Sequence, residues 1–257
     1  KGKGKMDESR CRSSLEVLMH HIKVIAMGNV DEIMEDYDEN IIGFSYEDDG
    51  IQLINGSRDL REQVKLVCTK DGTPPNLENG PLKITYLQGI GDYAVLALHA
   101  DPFDVFGAHT YISRNGRAVY TTSYNHQPHR FVNGEKPVRV GELSESGQHT
   151  RDVLEVYLQA LAVDNLEEAK AMRSDKTLLI ADFEKQIFIG KEAVSIFWEK
   201  ERNRLRASKP YYIVDEAEGP LAFLVYKNEQ GITAETYLIE DDRIVFESIV
   251  HRDGIYT

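Results

Sequence analysis

One predicted strand carries the residues with the clearest capacity for acid/base chemistry. Glu247, Ile249 and His251 alternate along the sequence, so on a strand their side chains point to the same face. A carboxylate beside apolar side chains has a raised pKa and can serve as a general acid or base, with the imidazole as its partner. A salt-bridged Glu–His pair at the end of a sheet would show the same spacing, so both interpretations stay open.

Two predicted helices each carry one polar ring on their apolar face. His21 shares that face with Val17, and Tyr157 shares the equivalent face with Leu161. An imidazole or a phenol in such a place can donate a hydrogen bond to a ligand at a pocket wall. Each ring can equally be a hydrogen-bonded core residue. Together with the strand pair, the two rings form the group of candidate catalytic residues.

Composition excludes several classes of function. The 257 residues include 30 Lys and Arg against 43 Asp and Glu, a net charge of -13, which is the opposite of the basic footprint that nucleic-acid binding requires. No apolar run approaches the roughly 18 residues of a membrane helix, and two cysteines form no disulfide framework. We therefore expect a cytoplasmic protein with no nucleic-acid or membrane partner. No residue spacing indicates a metal or an organic cofactor.

The elements that must position these residues occur twice. Ile22 corresponds to Leu158, and Asn29 to Asn165, at a constant spacing of 136 residues. In each half, the hydrophobic pattern predicts a helix, a short second helix, a hairpin, a third helix and a four-strand meander. Because this order lacks strand–helix alternation, we predict an α+β fold with two tandem cone-shaped domains. Each domain has three helices packed on a curved, mostly antiparallel sheet.

The predicted domain boundaries follow the repeat. Residues 1–12 form a disordered lead or the remnant of an expression tag, because the lysine- and glycine-rich start precedes the first methionine. Residues 13–130 form the first domain and residues 148–257 the second. Residues 131–147, with several Gly, Pro and Ser, are interpreted as a linker.

Three short motifs resemble the nuclear transport factor 2-like (NTF2-like) superfamily, in its SnoaL-like branch. They are residues 26–33 (AMGNVDEI) followed by Tyr37, residues 56–58 (GSR) before the third helix, and residues 110–117 (TYISRNGR) in the last hairpin. The second half repeats all three more weakly. The resemblance implies a cone whose interior can hold a small, mostly apolar molecule. The superfamily includes isomerases, cyclases, dehydratases and non-catalytic binders, so fold alone does not assign an activity.

The superfamily that the chain resembles includes the ketosteroid isomerases. These enzymes bind an oxyanion with a Tyr and a protonated Asp, opposite an Asp that acts as the base. We align this pattern without gaps on the two copies. The Tyr position falls on His21 in the first copy and on Tyr157 in the second. The base position falls on Ser45 and Ala181, and the oxyanion-Asp position falls on Ala108 and Ala234. The carboxylate base is therefore missing from both copies. Asp182 lies one residue from a base position, and a β-bulge could turn it inward.

Strand alternation, anchored on the resemblance, selects the residues expected to line each cone. In the first cone these ligand-binding residues are Thr110, Thr121, Ser123 and Asn125, and in the second they are Asp182 and Thr236, beside the Glu247–His251 pair. Hydroxyl and amide groups can orient a ligand but are poor acids and bases. A one-residue slip in register would instead turn His109, Tyr111, Tyr120 and Tyr124 inward.

Two functions are compatible with these observations. The first is a small-molecule-binding SnoaL-like protein that acts as an acid/base isomerase, cyclase or dehydratase on a small apolar substrate. The alternative is a non-catalytic association module whose cones are filled and whose sheet faces pair, as an intramolecular pseudo-dimer or as a homodimer. In that alternative, aromatic residues such as Tyr120, Tyr124 and Phe246 form the core of the interface.

Overall fold

Two successive units with the same order of elements make up the chain. The structure, a computed structural model, describes residues 12–47, 50–69, 82–100, 105–126, 140–206 and 210–254. The first unit contains α1 (Ser14–Ile25), α2 (Val30–Met34), β1 (Tyr37–Glu47), β2 (Gly50–Asn55), α3 (Ser57–Thr69), β3 (Leu82–Ile90), β4 (Tyr93–Ala100), β5 (Val105–Arg114) and β6 (Arg117–His126). The second contains α4 (Glu145–Ala162), α5 (Leu166–Ala171), β7 (Arg173–Ala181), β8 (Phe188–Ile189), α6 (Lys191–Arg206), β9 (Tyr211–Glu218), β10 (Leu221–Lys227), β11 (Gly231–Glu240) and β12 (Arg243–Asp253). The predicted α+β class, with two tandem domains, is confirmed.

Each unit builds a six-stranded sheet of the same topology. The strand orders are β2-β1-β6-β5-β4-β3 and β8-β7-β12-β11-β10-β9. The β1–β6 and β7–β12 pairs are parallel, and the other neighbouring pairs are antiparallel. Gly43 lies beside Thr121, and Leu179 lies beside Glu247. Equivalent residues of the two units are therefore 136 positions apart in their first strands, β1 and β7. They are 126 positions apart in the last two strands of each unit.

Polar side chains cap the helices and explain part of the repeated sequence pattern. The Ser13 hydroxyl accepts from the Glu16 backbone N–H, and the Glu16 carboxylate accepts from the Ser13 N–H, a reciprocal arrangement that fixes the start of α1. Asn29 and Asn165 cap α2 and α5. Ser144 caps α4, which therefore begins one residue later, inside the segment interpreted as a linker.

Both faces of each sheet are covered. One face packs on the helices of its own unit, with Leu18 and Ile41 in the first core and Trp198 and Leu224 in the second. We refer to the space between each sheet and its helices as the cone of that domain. The opposite faces of the two sheets pack against each other and share a single apolar core.

Two stacked aromatic pairs bridge the sheets within this mostly aliphatic core. Phe44 stacks on Phe223 with ring centroids 6.5 Å apart, and Tyr93 stacks on Phe246 with centroids 4.4 Å apart. Pairs of this geometry stabilise beyond the area that they bury. The two domains of one chain are thus joined through their sheet faces.

Some predicted features fall outside the described residues, namely the lead through residue 11 and the linker from residue 131 to residue 139. Among the helices that are described, none has both the length and the apolar character that crossing a membrane would need.

Candidate functional site

A β-bulge in each domain decides which side chains enter the cone. Val119 in β6 has no partner on β5, and the register shifts at this residue. Val245 is the corresponding extra residue of β12. An extra residue reverses the parity of one strand relative to its neighbour. Simple alternation across the hairpin therefore assigns one of the two strands to the wrong face.

The expected ligand-binding roles of Thr110 and Thr236 are corrected for this reason. Thr110 Oγ1 lies 2.8 Å from Ser248 Oγ, and Thr236 Oγ1 lies 2.6 Å from Thr122 Oγ1. All four side chains are buried between the two sheets. They join the domains and do not line a cone.

The same reversal moves the transferred isomerase positions. Ala108 and Ala234 belong to the core between the sheets, and the residues that face the cones next to them are His109 and Glu235. The oxyanion-Asp position is therefore displaced by one residue from the ungapped alignment.

The register slipped by one residue is correct for β5 and wrong for β6. His109 and Tyr111 of β5 line the first cone, as that register expected. Tyr120 and Tyr124 of β6 pack between the sheets. Thr121, Ser123 and Asn125 keep the inward orientation that was predicted for them.

In the second cone, Glu247 is held by a closed set of hydrogen bonds. Tyr157 Oη donates to Glu247 Oε1 at 2.8 Å, and Trp198 Nε1 donates to Glu247 Oε2 at 2.9 Å. Arg173 lies 3.4 Å from the same carboxylate and donates to Tyr157 Oη at 2.6 Å and to Ser195 Oγ at 2.9 Å. Burial raises the pKa of Glu247, while Arg173, Trp198 and Tyr157 act to lower it. The carboxylate is fully enclosed.

A second ionic cluster lies on the neighbouring strand. Arg206 pairs with Glu235, whose carboxylate also accepts from Tyr226 Oη at 2.7 Å and from Tyr237 Oη at 2.8 Å. The Arg206 guanidinium lies over the rings of Tyr226 and Trp198. With both clusters in place, the interior of the second cone is filled by its own side chains.

His251 and Asp182 lie away from Glu247, at the end of the sheet. His251 Nδ1 is 2.8 Å from Thr233 Oγ1, and His251 Nε2 is 3.1 Å from Asp253 Oδ1. Asp182 Oδ1 accepts from the His251 backbone N–H at 2.9 Å. The structure therefore does not bring His251 and Glu247 together as an acid/base pair: each has its own partners.

The first cone has a chain of three polar rings. Tyr37 Oη lies 3.1 Å from His21 Nδ1 and 2.9 Å from Tyr111 Oη. Burial raises the pKa of both phenols, so each keeps its proton. If Tyr111 donates to Tyr37 and Tyr37 to His21, the other ring nitrogen of His21 has an N–H to donate and the Tyr111 oxygen can accept. If the donation runs the other way, the Tyr111 O–H can donate and the other nitrogen of His21 can accept. The three rings can thus donate to a ligand and accept from it.

His109 stands on the strand wall of the same cone. Its Nε2 is 3.0 Å from Asn125 Oδ1, and because an amide oxygen only accepts, Nε2 carries the proton. Burial lowers the pKa of His109, so the ring is neutral and its Nδ1 has a lone pair. Among the described residues none hydrogen-bonds to this Nδ1. A neutral imidazole with a free acceptor is a competent general base.

Hydroxyl groups complete the polar lining of the first cone. Ser123 Oγ donates to Ser45 Oγ at 3.0 Å, and Thr121 Oγ1 donates to the Thr110 carbonyl at 3.1 Å. Ser45 occupies the transferred base position and is not a base at neutral pH.

Equivalent positions of the two cones differ in their exposure. The side chains of His21, Ser45, His109, Ser123 and Asn125 are all partly exposed. Their counterparts in the second domain, Tyr157, Ala181, Glu235, Ile249 and His251, are all buried.

Side-chain size accounts for this difference. Trp198, Glu247 and Tyr226 fill the second cone, and the equivalent residues of the first domain are Val64, Thr121 and Leu98. Each residue of the first domain is smaller than its counterpart, most of all Val64 in place of Trp198. The first cone is therefore the candidate functional site.

Several residues of these clusters were not singled out from the sequence. Arg173, Arg206 and Glu235 belong to none of the motifs described above. One signal was present: Tyr37 and Arg173 stand at the repeat spacing of 136 residues, beside His21 and Tyr157 at the same spacing. Within the described residues, no group of three or more His, Cys, Asp or Glu side chains is arranged to hold a metal ion.

We expect His21 to stay uncharged well below neutral pH. Burial, with repulsion from His109 and His20, lowers its pKa to about 3, whereas an unfolded chain has a histidine pKa of about 6.5. The unfolded state therefore binds the proton first, and the stability of the folded state falls as the pH drops from about 6.5 toward 3. An NMR titration of the ring protons, assigned with His21→Gln, measures this. A ring that gains its charge near pH 6 would contradict the lowered pKa of His21.

Comparisons with known proteins bear on the fold. No family model and no curated protein matches the chain. Similar solved structures include an NTF2-like protein of unknown function from Burkholderia xenovorans LB400 (20% identity, 50% of this chain and 92% of that chain covered, TM-score 0.35). They also include a SnoaL-like protein of unknown function from Burkholderia thailandensis E264 (14% identity, 42% of this chain and 99% of that chain covered, TM-score 0.37). A third is an LEH-like epoxide hydrolase from M. tuberculosis (11% identity, 41% of this chain and 84% of that chain covered, TM-score 0.32). By the order and pairing of its own elements, the chain is a tandem arrangement of two α+β units of the same topology.

Proposed function

We propose that the first domain binds a small, mostly apolar molecule in its cone, and that the second domain is its structural partner. The observation that carries this proposal is the difference between the two cones: five inward positions are partly exposed in the first domain and buried in the second. A concave apolar site with a few convergent polar groups is the usual form of a small-molecule site.

The polar groups indicate how the ligand is oriented. The chain formed by His21, Tyr37 and Tyr111 approaches from the helix side, and His109 stands on the strand side with its free Nδ1. A ligand with a carbonyl or hydroxyl group can accept from the first set while His109 accepts a proton from the adjacent carbon or oxygen. This arrangement supports neutral acid/base chemistry, with His109 as base and the phenols as donors.

A specific observation favours an association role for the second domain. Its cone is filled by the Glu247–Arg173 and Glu235–Arg206 clusters, and its sheet face is covered by the first domain. We propose that the sheet faces serve this internal pairing, as a pseudo-dimer within one chain, and not a homodimer.

Filling the first cone is expected to abolish ligand binding. In Ser123→Trp, an indole enters the space lined by Ser123 and Ser45, and we expect the affinity for 2-naphthol, an apolar bicyclic probe with one hydroxyl, to fall at least about tenfold (about 1.4 kcal/mol). The binding is measured by the fluorescence of the probe.

Met19→Trp is the matched control. Met19 lies on the outer side of α1 and is 54% exposed, so this variant adds the same indole outside the cone and should bind the probe as the parent does. Circular dichroism establishes that both variants are folded. Unchanged affinity in a folded Ser123→Trp protein would remove the first cone as the site.

A further inference from the structure

A groove runs along the exposed side of α4 in the second domain and reaches the start of α5. Its apolar lining is Val156, Ala160 and Val163, and its carboxylates are those of Asp152, Glu155 and Glu168. The volume is about 370 Å³, and the lining on α4 extends over about 16 Å along the helix. We call it the α4 groove. An open groove of this length suits a rod-like segment better than a compact small molecule.

Two valines expose the apolar part of the α4 groove to solvent. Val156 is 50% exposed and Val163 is 59% exposed, and because they lie two heptad-equivalent turns apart they share one face of the helix. Valine is a poor helix former, so Val156 in the middle of α4 is not explained by helix formation. Such a side chain gains free energy from its apolar surface only where another apolar surface covers it.

The carboxylates around these valines have no counter-charge among the described residues. Asp152 and Glu168 each accept from a neutral side-chain amide, at 2.7 Å and 2.6 Å. Glu155 lies near Arg151, but that guanidinium pairs with Asp215. In the part of the chain that the structure describes, no Lys or Arg forms an ion pair with any of the three acids of the groove. The α4 groove is therefore an apolar stripe with an anionic rim, which attracts a cationic partner.

The first domain occupies the equivalent surface with contacts of its own. At the repeat spacing of 136 residues, Val156 corresponds to His20 and Glu168 to Glu32. His20 Nδ1 lies 2.8 Å from Asp36 Oδ1, and His20 Nε2 lies 3.9 Å from Glu32 Oε1. A valine makes no such polar contacts. The exposed apolar stripe with its acidic rim is thus a property of the second domain and not of the shared fold.

We propose that the α4 groove binds a basic amphipathic helix of a partner protein. The apolar side chains of that helix cover Val156 and Val163, and its Lys or Arg side chains lie against the carboxylates of Asp152, Glu155 and Glu168. A helix whose apolar residues recur at every third or fourth position presents them at the spacing of the two valines. Laying such a helix into an apolar groove is a recurrent mode of recognition.

The proposed partner is a different protein and not a second copy of this chain. The basic run at the end of α6 is a cationic helical segment of this chain, but Arg202 pairs with Asp164 and Arg204 pairs with Asp253. A second copy would have to break these ion pairs in order to dock α6. The proposal does not depend on the function proposed for the first cone, because the α4 groove lies on the helices of the second domain.

Fluorescence anisotropy with a labelled synthetic peptide tests the proposal. The peptide has a pair of heptads with leucine at positions a and d, lysine at e and g, and alanine elsewhere. Its control is a scrambled peptide of the same composition, which has the same charge but no apolar face. We expect the amphipathic peptide to bind at least about tenfold more tightly than the scrambled peptide at an ionic strength of about 0.15 M.

Matched variants distinguish the α4 groove from the rest of the surface. The double variant Val156→Gln/Val163→Gln should bind the amphipathic peptide at least about tenfold more weakly. Ile196→Gln removes an apolar side chain that is 65% exposed on α6 and should not change the affinity. Glu155→Gln should weaken binding about twofold to fivefold. Glu199→Gln removes the same charge from an exposed position of α6 and should leave the affinity unchanged. Circular dichroism establishes that each variant is folded.

Several outcomes would overturn the proposal. No saturable binding of the amphipathic peptide, or parental affinity in the folded double valine variant, would reject the groove as the site. Equal affinity for the scrambled peptide would show attraction by the net charge of -13 alone. A dimer in sedimentation velocity that the double valine variant lacks would make a second copy the occupant. The affinity for 2-naphthol should be the same in all these variants, so a failure of this proposal is distinguishable from a failure of the function proposed for the first cone.

Discussion

Arg173→Met is expected to destabilise the protein by about 3–5 kcal/mol, because it leaves the Glu247 carboxylate buried without its counter-charge. Both side chains are completely enclosed, so water cannot replace the guanidinium. Tyr157 also loses its 2.6 Å hydrogen bond from Arg173. Urea unfolding followed by tryptophan fluorescence measures the loss. Trp198 is the only tryptophan of the chain and it hydrogen-bonds to Glu247, so the signal comes from this cluster.

The double variant Arg173→Met/Glu247→Leu separates the loss of an attraction from the creation of an unpaired charge. Replacing a whole buried ion pair by apolar side chains is often close to neutral, so we expect the double variant to recover most of the stability. If the double variant is as unstable as the sum of its single changes, the two groups act independently. That result would contradict the pairing seen in the second cone.

Phe246→Asp is expected to lower the free energy of unfolding by a similar amount, at least about 4 kcal/mol, because it disrupts the contact between the domains. The ring is fully buried and stacks on Tyr93 of the first domain. The substitution removes a large apolar side chain and places a charge in the core between the sheets. Denaturant unfolding gives the stability, and small-angle scattering shows whether the two domains separate.

Phe246→Leu is the matched control for this contact. It keeps an apolar side chain of similar volume, and we expect it to lose less than about 1.5 kcal/mol with no change in the radius of gyration. A folded Phe246→Asp protein with parental stability and compactness would show that the two sheet faces do not depend on each other.

The repeat made most of the fold predictable. Asn29 and Asn165 stand at equal positions because each caps a short helix, and Ser13 caps α1. Capping and hydrophobic period act locally, so a sequence displays them directly. The element order, and from it the α+β class, followed from such local signals.

The lining of the cones was less predictable, because one residue in each last strand decides it. Val119 and Val245 are ordinary β-branched residues, and no local pattern distinguishes a bulged valine from a paired one. Ser123 and Asn125 were nevertheless placed on the correct face, since they lie on the same strand as the bulge and after it. Thr110, on the partner strand, was not.

The charge partners in the second cone were beyond local sequence rules. Arg173 meets Glu247 across 74 positions of the chain, and Arg206 meets Glu235 from the end of a helix. Only the folded topology brings such groups together. A sequence shows that an acid is placed among apolar residues, but it does not show which base neutralises it.

The filled cone of the second domain has a consequence for how this protein can change. In the function proposed here, partly exposed residues such as His21 and Ser123 line a ligand site, and an interior that keeps space for a ligand is less stable than a filled one. Because the two sheets share a core, folding stability that is lost through substitutions in the first cone is offset by the second domain, whose cone is not needed for ligand binding. Directed evolution of ligand preference should therefore tolerate more substitutions in the first cone of the intact tandem than it would in an isolated copy of that domain.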